Sequence, residues 1–407
     1  MRQDAEDPFR HAPRIVIVCS LSIFIIFGIR FSFSVFFAEF VLVEGWSNEA
    51  SAAIFSLSML CVAVSAPLAG LALDRYGPRP VFGLGVCLMA AGLALSSRAN
   101  TQTDLLLAYG ILDGCGVGIT GLGPVASIVA GWTTPAQRGR AIGIAFAGTG
   151  LGSLVFVPLT NLLITLFDWR GAYMVLSLIC VFVVLPLMII GLQKPPAMPR
   201  LHGHSLAARV AWRQLLRQPK FWALVVVGLT AMGPVRSLTV HQIAYMESAG
   251  IERSTAANIV GLAGLLTSLC FIAFGWVSDR FGRMVAFTIG AAGLLGAVCM
   301  LFLLPTIGSA GVLLPYAVFF ALGEGTRSSQ TTALASDVFH RQGLGFINGL
   351  MGGMFGLGAA LGPWLVGRLR DESGTYDGGL LMVVAMVLAS MLAFGFIVRR
   401  SGQSSCA

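Results

Sequence analysis

Apolar runs long enough to cross a bilayer recur along this chain at short intervals, and they leave it few choices of fold. A span needs roughly 20 such residues, because each helical residue rises about 1.5 Å across a hydrocarbon core about 30 Å thick. Runs of this kind fall at about 15–40, 50–73, 81–98, 104–130, 141–166 and 171–191, then at 221–246, 254–277, 284–305, 311–335, 344–367 and 378–398. Together they occupy 284 of the 407 residues, and the stretches between them are short. With 56% hydrophobic and 11% charged residues and a mean hydropathy of +0.84, little material is left for a soluble domain. The expected fold is an all-α membrane protein of twelve transmembrane helices.

The opening "MRQDAEDPFRHAPR" leads into an apolar stretch too long for a signal h-region and without a small-residue cleavage site, so the first helix is expected to remain. Of eight cysteines, seven fall inside predicted helices and Cys406 follows the last one, with no CxxC pair. Neither a disulfide framework nor a metal site is expected, and no cofactor is implied.

A net charge of +8 raises the question of nucleic acid or lipid as a partner, and placement answers it. With the N-terminus inside, Arg10, Arg14, Arg75, Arg79, Arg138, Arg140, the central loop, Arg280, Arg283, Arg341, Arg399 and Arg400 all face one side. Only Arg98, Arg170, Arg253, Arg368 and Arg370 face the other. This positive-inside bias puts both termini in the cytoplasm and needs no nucleic acid. The expected location is an inner (plasma) membrane of bacterial type.

Two charged stretches stand out after apolar runs, "GLALDRYGPRP" from Gly70 and "GWVSDRFGRMV" from Gly275. Their first glycines differ by 275 − 70 = 205, and the same offset aligns "GWSNEASAA" from Gly45 with "GIERSTAAN" from Gly250, and Pro158 with Pro363. The chain therefore reads as two homologous six-helix halves inserted in one orientation, with a binding cavity expected between them. The expected division is a tail at 1–14, a first bundle at 15–191, a linker at 192–220, a second bundle at 221–398 and a tail at 399–407. Within the linker, Leu206, Val210, Leu215 and Leu216 alternate with Arg209, Arg213 and Arg217 as in a basic amphipathic helix lying on anionic lipid.

The duplicated glycine, aspartate and arginine pattern resembles the loop 2-3 and loop 8-9 signature of the major facilitator superfamily, over essentially the whole chain. Four further stretches resemble its monocarboxylate and oxalate/formate porter branch: "RFSFSVFF" in helix 1, "GWTTPAQRGRAIGIAFAGTGLG" entering helix 5, "FDWRGAY" before helix 6 and "LLRQPKFWAL" entering helix 7. The resemblance implies a conformational latch of the outward-open state made by Gly70, Asp74, Arg75, Gly77 and Arg79 and by Gly275, Asp279, Arg280, Gly282 and Arg283. In physical terms the glycines allow a tight turn, the arginines hold it inside, and Asp74 at a helix end can bond a neighbouring helix's terminal amides or an arginine.

Charges at membrane depth are costly and usually face a cavity or a partner. Here they are Arg30, Arg236, His241, Glu324 and Arg327, with Asp113 in the outer third of helix 4. Since 30 + 205 = 235, Arg30 and Arg236 are near-equivalent and are expected to flank one anion from opposite sides. Glu324 and Arg327, three apart on one helix, either pair locally or gate substrate and a coupled proton. His241 either titrates or bonds Tyr245 one turn on. Arg236 is the first candidate for the anion contact.

One element of the branch is missing. Its helix 8 arginine, which contacts the substrate carboxylate, falls near Phe271, and the helix 11 lysine of the oxalate porter falls near Met351. Arg236 or Arg327 would have to substitute. "GCGVGITGLGP", "GTGLG" and "GGMFGLGAALGP" suit close helix approach, and the first is no nucleotide fingerprint because no strand precedes it. No catalytic triad can be assembled, so an enzyme is not expected.

The leading expectation is a secondary transporter of a small organic anion, a monocarboxylate or related carboxylate, with a coupled proton or counter-anion. Efflux of an amphipathic drug is the alternative, favoured by Phe31, Phe33, Phe36 and Phe37, of which Phe33 is also a candidate substrate contact. A non-transporting receptor is a third reading, disfavoured by the short "SGQSSCA" tail. One chain contains both halves, so a monomer suffices.

Overall fold

The computed structural model describes residues 12–193, 217–307, 309–338 and 344–403. Among the described residues twelve helices cross the molecule: α1 (Ala12–Leu42), α2 (Asn48–Tyr76), α3 (Pro78–Ser96), α4 (Gln102–Gly131), α5 (135–167), α6 (169–191), α7 (Pro219–Ser248), α8 (Arg253–Phe281), α9 (Arg283–Ile307), α10 (Ser309–Val338), α11 (Leu344–Ser373) and α12 (Asp377–Gln403). The basic amphipathic segment of the linker lies outside the described residues. Helix α12 continues through Arg399 to Gln403, into the stretch expected to be a tail.

The polar residues between the runs place the helix ends. Ser47 caps α2 by accepting from Ala50 N at 3.3 Å, and Thr101 and Asp104 form a reciprocal capping box at the start of α4. Helices α5 and α6 are separated by one residue rather than a loop. Asp168 takes φ 60°, and its Oδ1 accepts from Arg170 N at 2.6 Å and Gly171 N at 2.9 Å, so it serves as the cap of α6.

Pseudo-symmetry is visible in the backbone. Gly77 and Gly282 end α2 and α8 at φ +80° and +88°, and 282 − 77 = 205. Gly45 and Gly250, also 205 apart, take φ +69° and +85° just before α2 and α8. Both pairs need the left-handed region that a side chain disfavours, which is why glycine recurs at that offset.

Little hydrophobic force separates helix from lipid inside a bilayer, so packing depends on how closely backbones approach. Across the middle of the molecule α5 packs on α8, where a Cβ on Gly150 would collide with the Gly264 carbonyl oxygen. Similarly α2 packs on α11, where a Cβ on Gly356 would collide with that of Ala63. The glycine-rich stretches of α5 and α11 thus hold the two bundles together.

In α4, residues Leu106–Asp113 form a π-helical turn. This extra residue per turn rotates the following face and delivers Asp113 into the first bundle.

Candidate functional site

A cavity of about 960 Å³ lies between the two bundles. It starts beside the exposed Arg140 at the beginning of α5 and runs inward to Arg236 on α7 and Glu324 on α10. Among the described residues these three are the charged side chains on its wall. Arg236 Nη2 donates to Glu324 Oε1 at 2.9 Å, and the Thr267 hydroxyl reaches Glu324 Oε2 at 3.5 Å. Their side chains are 19% and 8% exposed, so the pair is recessed but wetted from the cavity. The guanidinium also lies over the Phe31 ring at 5.5 Å, and Phe27, Phe146, Phe271 and Phe320 share the wall with the neutral polar side chains of Thr149, Ser153, Thr239, Gln242, Thr267 and Ser268.

Arg30 does not flank this space. Its side chain is 4% exposed inside the first bundle, where Nη1 donates to Ser58 and lies 3.6 Å from Asp113 Oδ2, beneath the Phe55 ring. The π-helical turn of α4 supplies that carboxylate, a displacement that spacing alone does not reveal. Arg30 and Arg236 therefore have separate partners rather than one shared anion.

Of the two readings of Glu324 and Arg327, the local pair is not formed among the described residues. Arg327 is fully buried, donates to Ser390 on α12 and lies over the Phe287 ring at 5.1 Å, while Glu324 reaches across to α7. A helical separation of three leaves the two side chains free to diverge toward different neighbours. His241 differs in the same way: its Nε2 is 2.9 Å from the Pro363 carbonyl oxygen and its ring meets Phe37 edge to face. Tyr245, its expected partner, donates instead to Leu301 O at 2.8 Å.

Of the aromatic stripe on α1, only Phe31 lines the cavity. Phe33 packs on Phe55 and Tyr109, Phe36 stacks on Tyr173 at 3.8 Å, and Phe37 meets His241. Phe271 and Met351, at the places of the branch's missing cations, have different fates. Phe271 lines the cavity, whereas Met351 is buried.

In the latch stretches, Asp74 and Arg75 are exposed at the end of α2, and Asp74 makes no hydrogen bond or ion pair among the described residues. Arg79 Nε donates to Leu192 O at 2.7 Å within its own bundle, and Arg280 lies over Trp276. Gly70 and Gly275 have open space around them, Arg283 begins α9, and the side chain of Asp279 lies outside the described residues.

The opposite end of the molecule is tied together by contacts that the sequence did not reveal. Arg253 at the start of α8 pairs with Glu39 on α1 and Glu247 on α7. Asp371 at the end of α11 accepts from the amides of Asn48 at 3.0 Å and Glu49 at 2.8 Å, the first turn of α2. Tyr376 donates to Asn48 Oδ1 at 3.1 Å. Glu39 and Asp371 sit at run edges, where carboxylates are ordinary, so only cross-bundle geometry marks them.

Two pseudo-repeated helical bundles around a cavity that reaches membrane depth define a multi-pass membrane transporter. The Major Facilitator Superfamily family model matches residues 19–363, and the chain belongs to that family. It is 26% identical over 385 residues to Monocarboxylate transporter 12 of Xenopus laevis, covering 88% of this chain and 83% of the relative. It is 28% identical over 375 residues to Monocarboxylate transporter 13 of Rattus norvegicus, covering 90% and 84%. The fold also matches the nucleoside transporter NupG at a TM-score of 0.80 and 12% identity, over 94% of this chain and 99% of that one. A bacterial homolog of the lysosomal transporter Spinster, in an inward-facing and occupied conformation, matches at 0.71 and 16% identity over 98% of each chain. The resemblance to the monocarboxylate branch thus extends through the chain, and family and relatives are transporters rather than enzymes.

Proposed function

We propose that this protein moves a small organic carboxylate across the membrane by alternating access, with Arg236 as the principal contact for the carboxylate. The observation that carries this reading is the position of Arg236, the cation of the cavity wall that is recessed to membrane depth. A guanidinium presents a planar fork that matches a carboxylate. The names of the monocarboxylate relatives support the same class.

On this reading both termini and the Arg140 end of the cavity face the cytoplasm, a sidedness that the arginine bias favours. The conformation is then inward-facing, with the Arg253 and Asp371 contacts closing the outside. Residues 15–191 and 221–398 move as two bodies joined by 192–220. Asp74, unpaired among the described residues, engages when the inner end closes, as a latch of the outward-open state requires.

The test is uptake of labelled mono- and dicarboxylates into proteoliposomes, with and without a pH gradient, by wild type and Arg236→Ala. Wild-type uptake of a carboxylate that the variant loses is the expected result. Normal carboxylate transport by the variant would leave efflux of an amphipathic molecule as the better reading, which the five phenylalanines on the wall favour.

A further inference from the structure

We infer that the Arg140 end of the molecule carries a duplicated site for anionic phospholipid, in which Arg75 on α2 and Arg280 on α8 each hold a headgroup phosphate. The inference concerns the surface that meets lipid and does not depend on which molecule the cavity carries.

Helix length sets the depth of both arginines. Helices α2 and α8 have 29 residues each, roughly 43 Å, against a hydrocarbon core about 30 Å thick and a bilayer of about 40 to 45 Å with its headgroups. The last turn of each therefore stands among headgroups. Since 75 + 205 = 280, the two arginines are also equivalent in the internal repeat.

Their surroundings are duplicated as well. Arg75 lies over the Tyr76 ring at 5.2 Å, and Arg280 lies over Trp276 at 5.5 Å and Phe281 at 5.9 Å. Tyr76, Trp276 and Phe281 are 61%, 59% and 56% exposed. Rings left so open are costly in water, whereas Trp and Tyr collect at the headgroup boundary.

Both guanidinium groups are exposed, and among the described residues neither makes a hydrogen bond or an ion pair. A ring under a guanidinium attracts its charge but takes none of its five N–H donors. Those donors await an acceptor that the described protein does not supply, and a phosphate matches their planar fork. At the opposite end, three of the five arginines have a carboxylate neighbour: Arg170 lies 3.9 Å from Glu44, Arg253 pairs with Glu39 and Glu247, and Arg368 pairs with Glu372 at 2.8 Å. On the proposed orientation the Arg140 end meets the cytoplasmic leaflet, where anionic lipid is concentrated.

The experiment reads the lipid beside Trp276. The full chain is reconstituted in dioleoylphosphatidylcholine with increasing amounts of brominated phosphatidylglycerol or brominated phosphatidylcholine, whose bromines quench a neighbouring indole. The Trp276 signal is the difference between wild type and Trp276→Phe. Phosphatidylglycerol should quench it with an apparent affinity about fivefold higher than phosphatidylcholine, the effect of one arginine at an anionic surface. Arg280→Gln should bring that ratio close to one, whereas Arg280→Lys, which keeps the charge, should hold it above one. In the Trp276→Phe background, Tyr76→Trp puts an indole at the α2 site, where Arg75→Gln should remove the preference and Arg280→Gln should leave it. The substituted side chains are exposed, and circular dichroism of each variant checks that its helices remain.

Equal quenching by the two lipids in wild type overturns the proposal. So does an anionic preference that survives Arg280→Gln, because it would then belong to the general positive charge of that end. A preference beside Trp276 with none at the α2 indole overturns the duplication.

Discussion

Arg30 and Arg236 are 206 residues apart, within one position of the internal repeat, yet only Arg236 lines the cavity. Arg236 faces the cavity, and its removal should weaken carboxylate binding by about 1.5 to 3 kcal/mol, roughly ten- to a hundredfold. Arg236→Lys keeps the charge but loses the planar fork, so it should retain weak transport where Arg236→Ala retains almost none. Arg30 differs because it is buried beside Asp113. Asp113→Asn leaves an uncompensated charge in the first bundle, a loss of about 3 to 5 kcal/mol, whereas a double change to apolar residues of similar volume should be far milder. Thermal unfolding in detergent checks this: Asp113→Asn should melt well below wild type, with Arg30→Met/Asp113→Leu closer to it. Equal melting of Asp113→Asn and wild type would show that Arg30 does not depend on its partner.

At the scale of elements, the twelve spans and their duplication were legible in the sequence because they rest on run length and on an offset of 205. Glycines at Gly77 and Gly282 are legible for the same reason, since a left-handed turn needs that residue wherever it recurs. The site was legible only in part. Arg236 and Glu324 stand out as charges in apolar runs, but their pairing joins α7 to α10, and nothing local encodes it. The π-helical turn that gives Arg30 its carboxylate is invisible to a pattern based on regular helix. Asp371 was missed because a carboxylate at a span's end looks solvated, whereas here it satisfies the free amides of another bundle's helix. A carboxylate at a helix N-terminus is favoured by the free N–H groups and the helix dipole. Asp371→Asn should therefore weaken the contacts that join the bundles at that end by about 0.5 to 2 kcal/mol. Single cysteines on the outer wall should label faster in that variant than in the wild-type background, and unchanged labelling would remove Asp371 from the closure.

For the whole molecule, the two ends carry opposed devices of related chemistry. At the end opposite Arg140, the outer one on the proposed orientation, Asp371 from the second bundle holds the first turn of α2. At the other end, the inner one on the proposed orientation, Asp74 from the first bundle is exposed and unpaired among the described residues while the cavity beside Arg140 is accessible. If each carboxylate stabilises one of two rigid-body arrangements, the balance between them depends on the difference in their contributions. Asp74→Asn should then shift the population further inward and Asp371→Asn outward, each by about five- to thirtyfold if each contact contributes 1 to 2 kcal/mol. The residues lie at opposite ends and share no partner, so their effects should add. Asp74→Asn/Asp371→Asn should accordingly return the ratio of outer to inner cysteine labelling close to that of wild type, although each single variant moves it in the opposite direction. Transport by the double variant should also exceed that of either single one, because the cycle needs both states to be reached. A double variant whose labelling ratio follows only one of its parents would mean that the two ends do not act on a common equilibrium.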